Sequence, residues 1–153
     1  MHILASINSA TKLFGLFEKD DYGWWLRFYY IVYHYAIQRI ADIKNHLDNN
    51  NKAVVTKSIQ SEIDELMNNG GKILTCSHFR NCMMHYDLYD KNGIFMISPE
   101  YLNLNTPLFG LVESCYAGIT YMQLKSEIIK RLNETSMVLS KWLNITLNNL
   151  SKL

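Results

Sequence analysis

The chain reads as an all-α protein, a helical bundle of about five helices, and three observations carry that reading. Proline occurs only twice, at Pro99 and Pro107, and the seven glycines are thinly spread, so little interrupts long helices. Apolar residues recur at spacings of three and four, the period of a helix with one buried face. The 153 residues, 48% hydrophobic and 19% charged, are enough to bury a core and too apolar for a disordered polymer. A single domain over 1–153 is expected, because no repeat, low-complexity tract or linker divides the chain.

The first helix is expected over about 4–17, with Ile7, Leu13, Leu16 and Phe17 apolar and the run Glu18-Lys19-Asp20-Asp21 ending it. A long second helix follows over about 22–47, carrying Trp25, Phe28, Tyr29, Val32, Tyr35, Ala36 and Ile43. Its aromatic residues suit a core or dimer interface better than a base-stacking platform. His34 among them is expected to be a buried, hydrogen-bonded histidine. Asp48-Asn49-Asn50-Asn51 supplies the next break. The third helix, about 54–68, turns Val55, Ile59, Ile63 and Leu66 inward and Glu62, Asp64 and Glu65 outward, and Gly70-Gly71 is the expected stop. The fourth covers about 73–86. The turn signal Asp90-Lys91-Asn92-Gly93 and the run at 94–97 then suggest a short strand, hairpinned onto 86–89, within an irregular excursion at about 88–105. Thr106-Pro107 has the form of an N-cap followed by proline at the first helical position. A helical pattern continues to about 148, broken or kinked near Gly118.

Composition narrows the partners. A formal net charge of +1 gives no global basic field, so nucleic acid would have to meet a local patch, which dimerisation would double. The three cysteines, Cys76, Cys82 and Cys115, are odd in number and lack disulfide-framework spacing, which points to reduced thiols and a cytoplasmic protein. The first eight residues lack the basic start and long apolar run of a secretory signal. The most apolar window, 24–41, is broken by Arg27, His34, Gln38 and Arg39, so no transmembrane helix and no membrane partner are expected.

The chemistry concentrates in Arg80-Asn81-Cys82-Met83-Met84-His85. Arginine offers a planar fork of donors that matches phosphate oxygens, and histidine exchanges protons near neutral pH. Asn81 and His85 are four apart and share a helical face, whereas Arg80 lies about 140° round the helix from His85. Arg80 must therefore reach across, sit at a distorted turn, or face a site that a second chain completes. Arg27 with His34 and Arg39 with His46 repeat the rough spacing, but only Arg80 is followed directly by Asn. The same stretch also offers Cys76, His78, Cys82 and His85 as zinc ligands. One helix presents ligands from one side only, and structural zinc sites usually draw on two separated pairs, so no metal is expected and the thiols read as core.

Arg80-Asn81-x-x-x-His85-Tyr86 resembles the motif of the HEPN superfamily, an Arg followed after four to six residues by His, often with a polar residue after the Arg. The resemblance covers about a dozen residues, and the helical layout agrees with that family's architecture. It implies a metal-independent endoribonuclease without cofactor, in which Arg80, Asn81 and His85 cleave RNA through attack of its 2′-hydroxyl. Tyr86 and His78 are the expected substrate contacts. It also implies a homodimer whose two motif segments line one cleft, and a toxin or phage-defence role with an antitoxin or regulatory protein as partner. Within the superfamily one toxin group carries His, any residue, then Tyr; here Tyr86 adjoins His85 directly and the next is Tyr89, so the chain departs from that group. The alternative is a non-catalytic helical module for binding or dimerisation. Lys125, Lys130 and Arg131 are expected on a solvated face, available for phosphate.

Overall fold

Two long amphipathic helices set the architecture. In a computed structural model of the chain, the described residues are 2–15, 24–49, 59–74, 76–85, 89, 92–94 and 107–150. They form six helices: α1 His2–Gly15, α2 Trp24–Asn49, α3 Gln60–Leu74, α4 Ser77–His85, α5 Pro107–Cys115 and α6 Tyr121–Leu150. Along α2 the buried residues are Leu26, Tyr29, Tyr30, Tyr33, Ala36, Ile37 and Ile40, and along α6 they are Tyr121, Leu124, Ile128, Leu132, Thr135, Leu139 and Trp142. Both runs step by threes and fours, so each helix has one apolar stripe to hide. The two stripes meet, α1 packs against both helices, and α3 packs against both as well. Short α4 lies on α2 and α5, and α5 lies on α6. The protein is all-α, and no described helix is long and apolar enough to cross a membrane.

Ion pairs fix α3 from two sides: Lys44 of α2 meets Asp64 at 2.7 Å, and Lys141 of α6 meets Glu62. Both carboxyls are held below their usual range, chiefly by the hydrogen bonds from those lysines. Helix α6 opens on a capping box, with the Thr120 amide donating to Gln123 Oε1 at 2.8 Å and the Gln123 amide donating to Thr120 Oγ1 at 3.3 Å. The expected break near Gly118 is present: Gly118 has φ +75°, a left-handed conformation that separates α5 from α6. Pro107 takes the first helical position, while Thr106 lies outside the described residues. So does most of the expected hairpin, 86–88 and 95–97. Among the described residues no strand forms, Tyr89 makes a single bridge pairing, and Gly93 turns with φ +75°.

The expected helix stop at Gly70-Gly71 is wrong. Helix α3 runs through both glycines to Leu74, and the fourth helix begins at Ser77, four residues later than expected. Gly70 is there for proximity. A Cβ built on it would stand 3.1 to 3.3 Å from three side-chain carbons of Ile37, so α2 and α3 approach closely enough that a larger residue would have to push Ile37 aside. Gly71 is exposed and meets nothing within 4 Å. The two neighbours should therefore respond oppositely. In urea unfolding, Gly71→Ala is expected to stabilise by up to about 1 kcal/mol through helix propensity. Gly70→Val should destabilise by roughly 1–3 kcal/mol through overpacking. Equal responses would remove the close approach from this account.

Candidate functional site

Helix α4 carries the motif, and its nine residues divide cleanly. Phe79, Cys82 and Met83 are buried, Asn81 and Met84 are half-buried, and Ser77, His78, Arg80 and His85 are exposed. At 100° per residue, His78 and His85 fall on one stripe along one edge of the buried face. Arg80 falls along the other edge, with Ser77, Asn81 and Met84 on the solvent arc between. Within one chain, then, the helix sets Asn81 near His85 and His78 but keeps Arg80 apart from both histidines. Tyr86 lies outside the described residues.

Both ends of this short helix are capped by side chains from distinct sources. Cys76 Sγ accepts the Phe79 amide at 3.5 Å, covering one of the donors that a helix start leaves open. At the other end, Arg27 Nη1 donates to the Cys82 carbonyl at 3.1 Å, one of the last four acceptors, with Arg27 only 5% exposed. A cation at a helix C-terminus also complements the helix dipole. The ring of Phe79 meets Tyr30 and Tyr116 edge-on, each at 5.1 Å between centroids.

The residue facing Arg80 is one that the motif did not include. His34 of α2 is half-buried with its ring stacked on Tyr30, 6.3 Å between centroids. The expected hydrogen bond to His34 is absent among the described residues. Burial lowers its pKa below the ordinary 6.5, and the charge of Arg80 lowers it further. Both effects favour the neutral imidazole. Burial also pushes the Tyr30 hydroxyl up, while Arg80 acts in the opposite sense. Arg80 has no ion-pair partner among the described residues. A signal for His34 was present in the sequence: it follows Arg27 by seven residues and shares its stripe of α2, and Arg27 reaches α4.

The other arginines are committed elsewhere. Arg39 pairs with Asp42 at 3.0 Å and lies 5.4 Å from the centroid of the Tyr35 ring. Arg131, expected on an open face, is bound by Glu127 at 2.6 Å and Glu134 at 2.7 Å, which corrects its availability for phosphate. Among the described residues no three His, Cys, Asp or Glu side chains are grouped to hold a metal. A cavity of about 390 Å³ opens between α3 and α6, lined by residues that include Lys72, Tyr116, Gln123 and Arg131, and none of the motif residues lines it. Compared with known proteins, the chain matches no family model, no curated protein and no solved structure.

A pH titration by NMR checks the His34 environment directly. His34 should titrate below 6.5, and Arg80→Met should move its midpoint upward. The folded chain then binds fewer protons at His34 than the unfolded chain. Its contribution to stability is complete above about 6.5 and is lost as pH falls from there through the lower folded pKa. A midpoint at or above 6.5, unmoved by Arg80→Met, would remove Arg80 from contact with this histidine.

Proposed function

We propose that the chain is a metal-independent endoribonuclease resembling HEPN nucleases, with Arg80, Asn81 and His85 as its core. The observation that carries this reading is an exposed Arg80, unpaired among the described residues, beside a His34 kept neutral by burial and by that same charge. RNA brings its own nucleophile, the 2′-hydroxyl. Cleavage needs a base for that hydroxyl, positive charge on the phosphate and an acid for the leaving 5′-oxygen. In this proposal His34 takes the hydroxyl proton, Arg80 holds the phosphate, and exposed His85 protonates the leaving oxygen. Asn81 and His78 share the His85 side of the helix and contact the substrate there.

His85 and Arg80 flank opposite edges of α4, so the proposal completes the site with a second copy of the chain. Phe28 and Tyr35 give it a surface for doing so. They lie seven residues apart on the outward face of α2, 44% and 42% exposed, on the helix that carries His34. A homodimer through this face sets two Arg80–His34 pairs at one interface. The same exposed aromatics favour a second reading, a protein-binding module without catalysis. HEPN membership, a defence role and an antitoxin partner rest on the motif's resemblance and belong to this proposal.

The test is cleavage of a mixed RNA pool by the purified chain in excess EDTA. Wild type should cut, and Arg80→Ala, His85→Ala and His34→Gln should each lose roughly 100-fold or more, the low end for general acid–base groups. Arg39→Ala should keep full activity, and circular dichroism should show every variant folded. Variants that cut as well as wild type would sink the assignment. An uncut pool with wild type, combined with concentration-dependent self-association, would favour the module.

A further inference from the structure

The three cysteines, separate in sequence, converge at the joint between α3, α4 and α5. Tyr116, the residue after Cys115, is tied to that joint twice. Its hydroxyl donates to the Ile73 carbonyl at 2.6 Å, and its ring meets the edge of Phe79 at 5.1 Å. Cys76 lies between those two anchor residues in the chain, with its sulfur accepting the Phe79 amide. The anchors bring Cys115 to the same joint as Cys76, where the two thiols act on one another. Cys82 stands nearby, but at 2% exposure it is sealed in the core, whereas Cys76 and Cys115 are both half-buried.

The geometry points to a redox site: Cys76 and Cys115 form a reversible disulfide on reaction with a hydroperoxide, stapling the start of α4 to the end of α5. The order of events follows from the hydrogen bonds. Burial pushes the Cys115 thiol up, so it stays protonated against Cys76. Cys76, whose sulfur already accepts an amide, releases its proton to solvent and attacks the peroxide as the thiolate. The O–O bond breaks, Cys76 becomes a sulfenic acid, and the leaving oxygen takes up a proton as water or alcohol. Cys115 sulfur then attacks Cys76 sulfur and displaces hydroxide, which leaves as water with the Cys115 proton. Two thiols lose two electrons and two protons, and the peroxide gains both.

The staple acts on the helix that presents the motif. The Cys76 carbonyl accepts the Arg80 amide at 3.0 Å, so Cys76 is the first backbone acceptor beneath Arg80. Oxidation therefore ties the base of Arg80's turn to α5. The thiol chemistry itself does not depend on the ribonuclease reading and is measured without RNA.

The experiment treats the full reduced chain with hydrogen peroxide, then denatures it, alkylates free thiols and maps peptides without reduction. A linked Cys76–Cys115 peptide is expected, with Cys82 alone alkylated and dithiothreitol restoring all three thiols. Cys82→Ser should form the same link. Cys115→Ser should form no internal link and should leave a Cys76 sulfenic acid that dimedone traps. Three alkylatable thiols after peroxide, a link through Cys82, or over-oxidised Cys76 without any link in wild type would each overturn the proposal.

Discussion

The structure around the motif depends on how α4 is held against α2. A nine-residue helix is marginal by itself in water, because nucleation costs more than so few hydrogen bonds return. Here the cost is met by burial of Phe79, Cys82 and Met83 and by closure of both ends. The Arg27–Cys82 contact matters most among these. It satisfies a buried carbonyl that water cannot reach, it complements the helix dipole, and it gives a buried cation a partner. Removing the Arg27 side chain takes this donor away from a buried carbonyl. The alternative of filling the position with an apolar residue would free the carbonyl to frustrate the packing.

That anchor explains why two arginines on facing helices have opposite fates. Arg27 lies on the inner stripe of α2 and is absorbed by the fold. Arg80 lies two residues before Cys82, one turn-edge away from the same contact, and projects outward. Its charge acts on His34 and Tyr30, both on α2. The anchor that stabilises α4 holds the helix that carries Arg80 against the helix that carries His34. The arrangement has its positive charge and its imidazole on two different helices, which the Arg27–Cys82 contact joins.

Much of this was legible in the sequence, and the failures have physical causes. Helix existence followed from periodicity, because stripes such as Ile59, Ile63 and Leu66 recur at spacings of three and four and are buried. The Gly118 corner and Pro107 start followed from backbone chemistry. Gly70 misled because glycine serves both as a left-handed terminator and as the residue of closest approach, and only the neighbour, Ile37, decides between them. Arg131 misled because its carboxylates sit four residues before and three after it, a pairing the pattern contained but a single positive charge did not advertise. His34 was overlooked because a motif confined to one helix says nothing about what the facing helix brings. The Arg80 to His85 separation, by contrast, was fixed by helix geometry alone, and the short straight α4 offers no distortion to relieve it.

Two buried hydroxyls mark where the core gives up stability. Tyr30 and Tyr33 bury their phenol oxygens without a hydrogen-bond partner among the described residues, and each such loss costs about 1–3 kcal/mol. Phenylalanine would fill the same space without that penalty. Both hydroxyls lie within electrostatic reach of an arginine, Tyr30 of Arg80 and Tyr33 of Arg131, and burial pushes Tyr33 up to about 12. Tyr116 gives its own proton to Ile73, so towards Tyr30 its oxygen can act only as an acceptor. Arg131 has two carboxylates to neutralise it, so Tyr33 sits beside a closed ion cluster. Among the described residues Arg80 has none, and its charge faces solvent. The charge of Arg80 acts on both Tyr30 and His34, so an anion arriving at Arg80 would change the field at the two groups together.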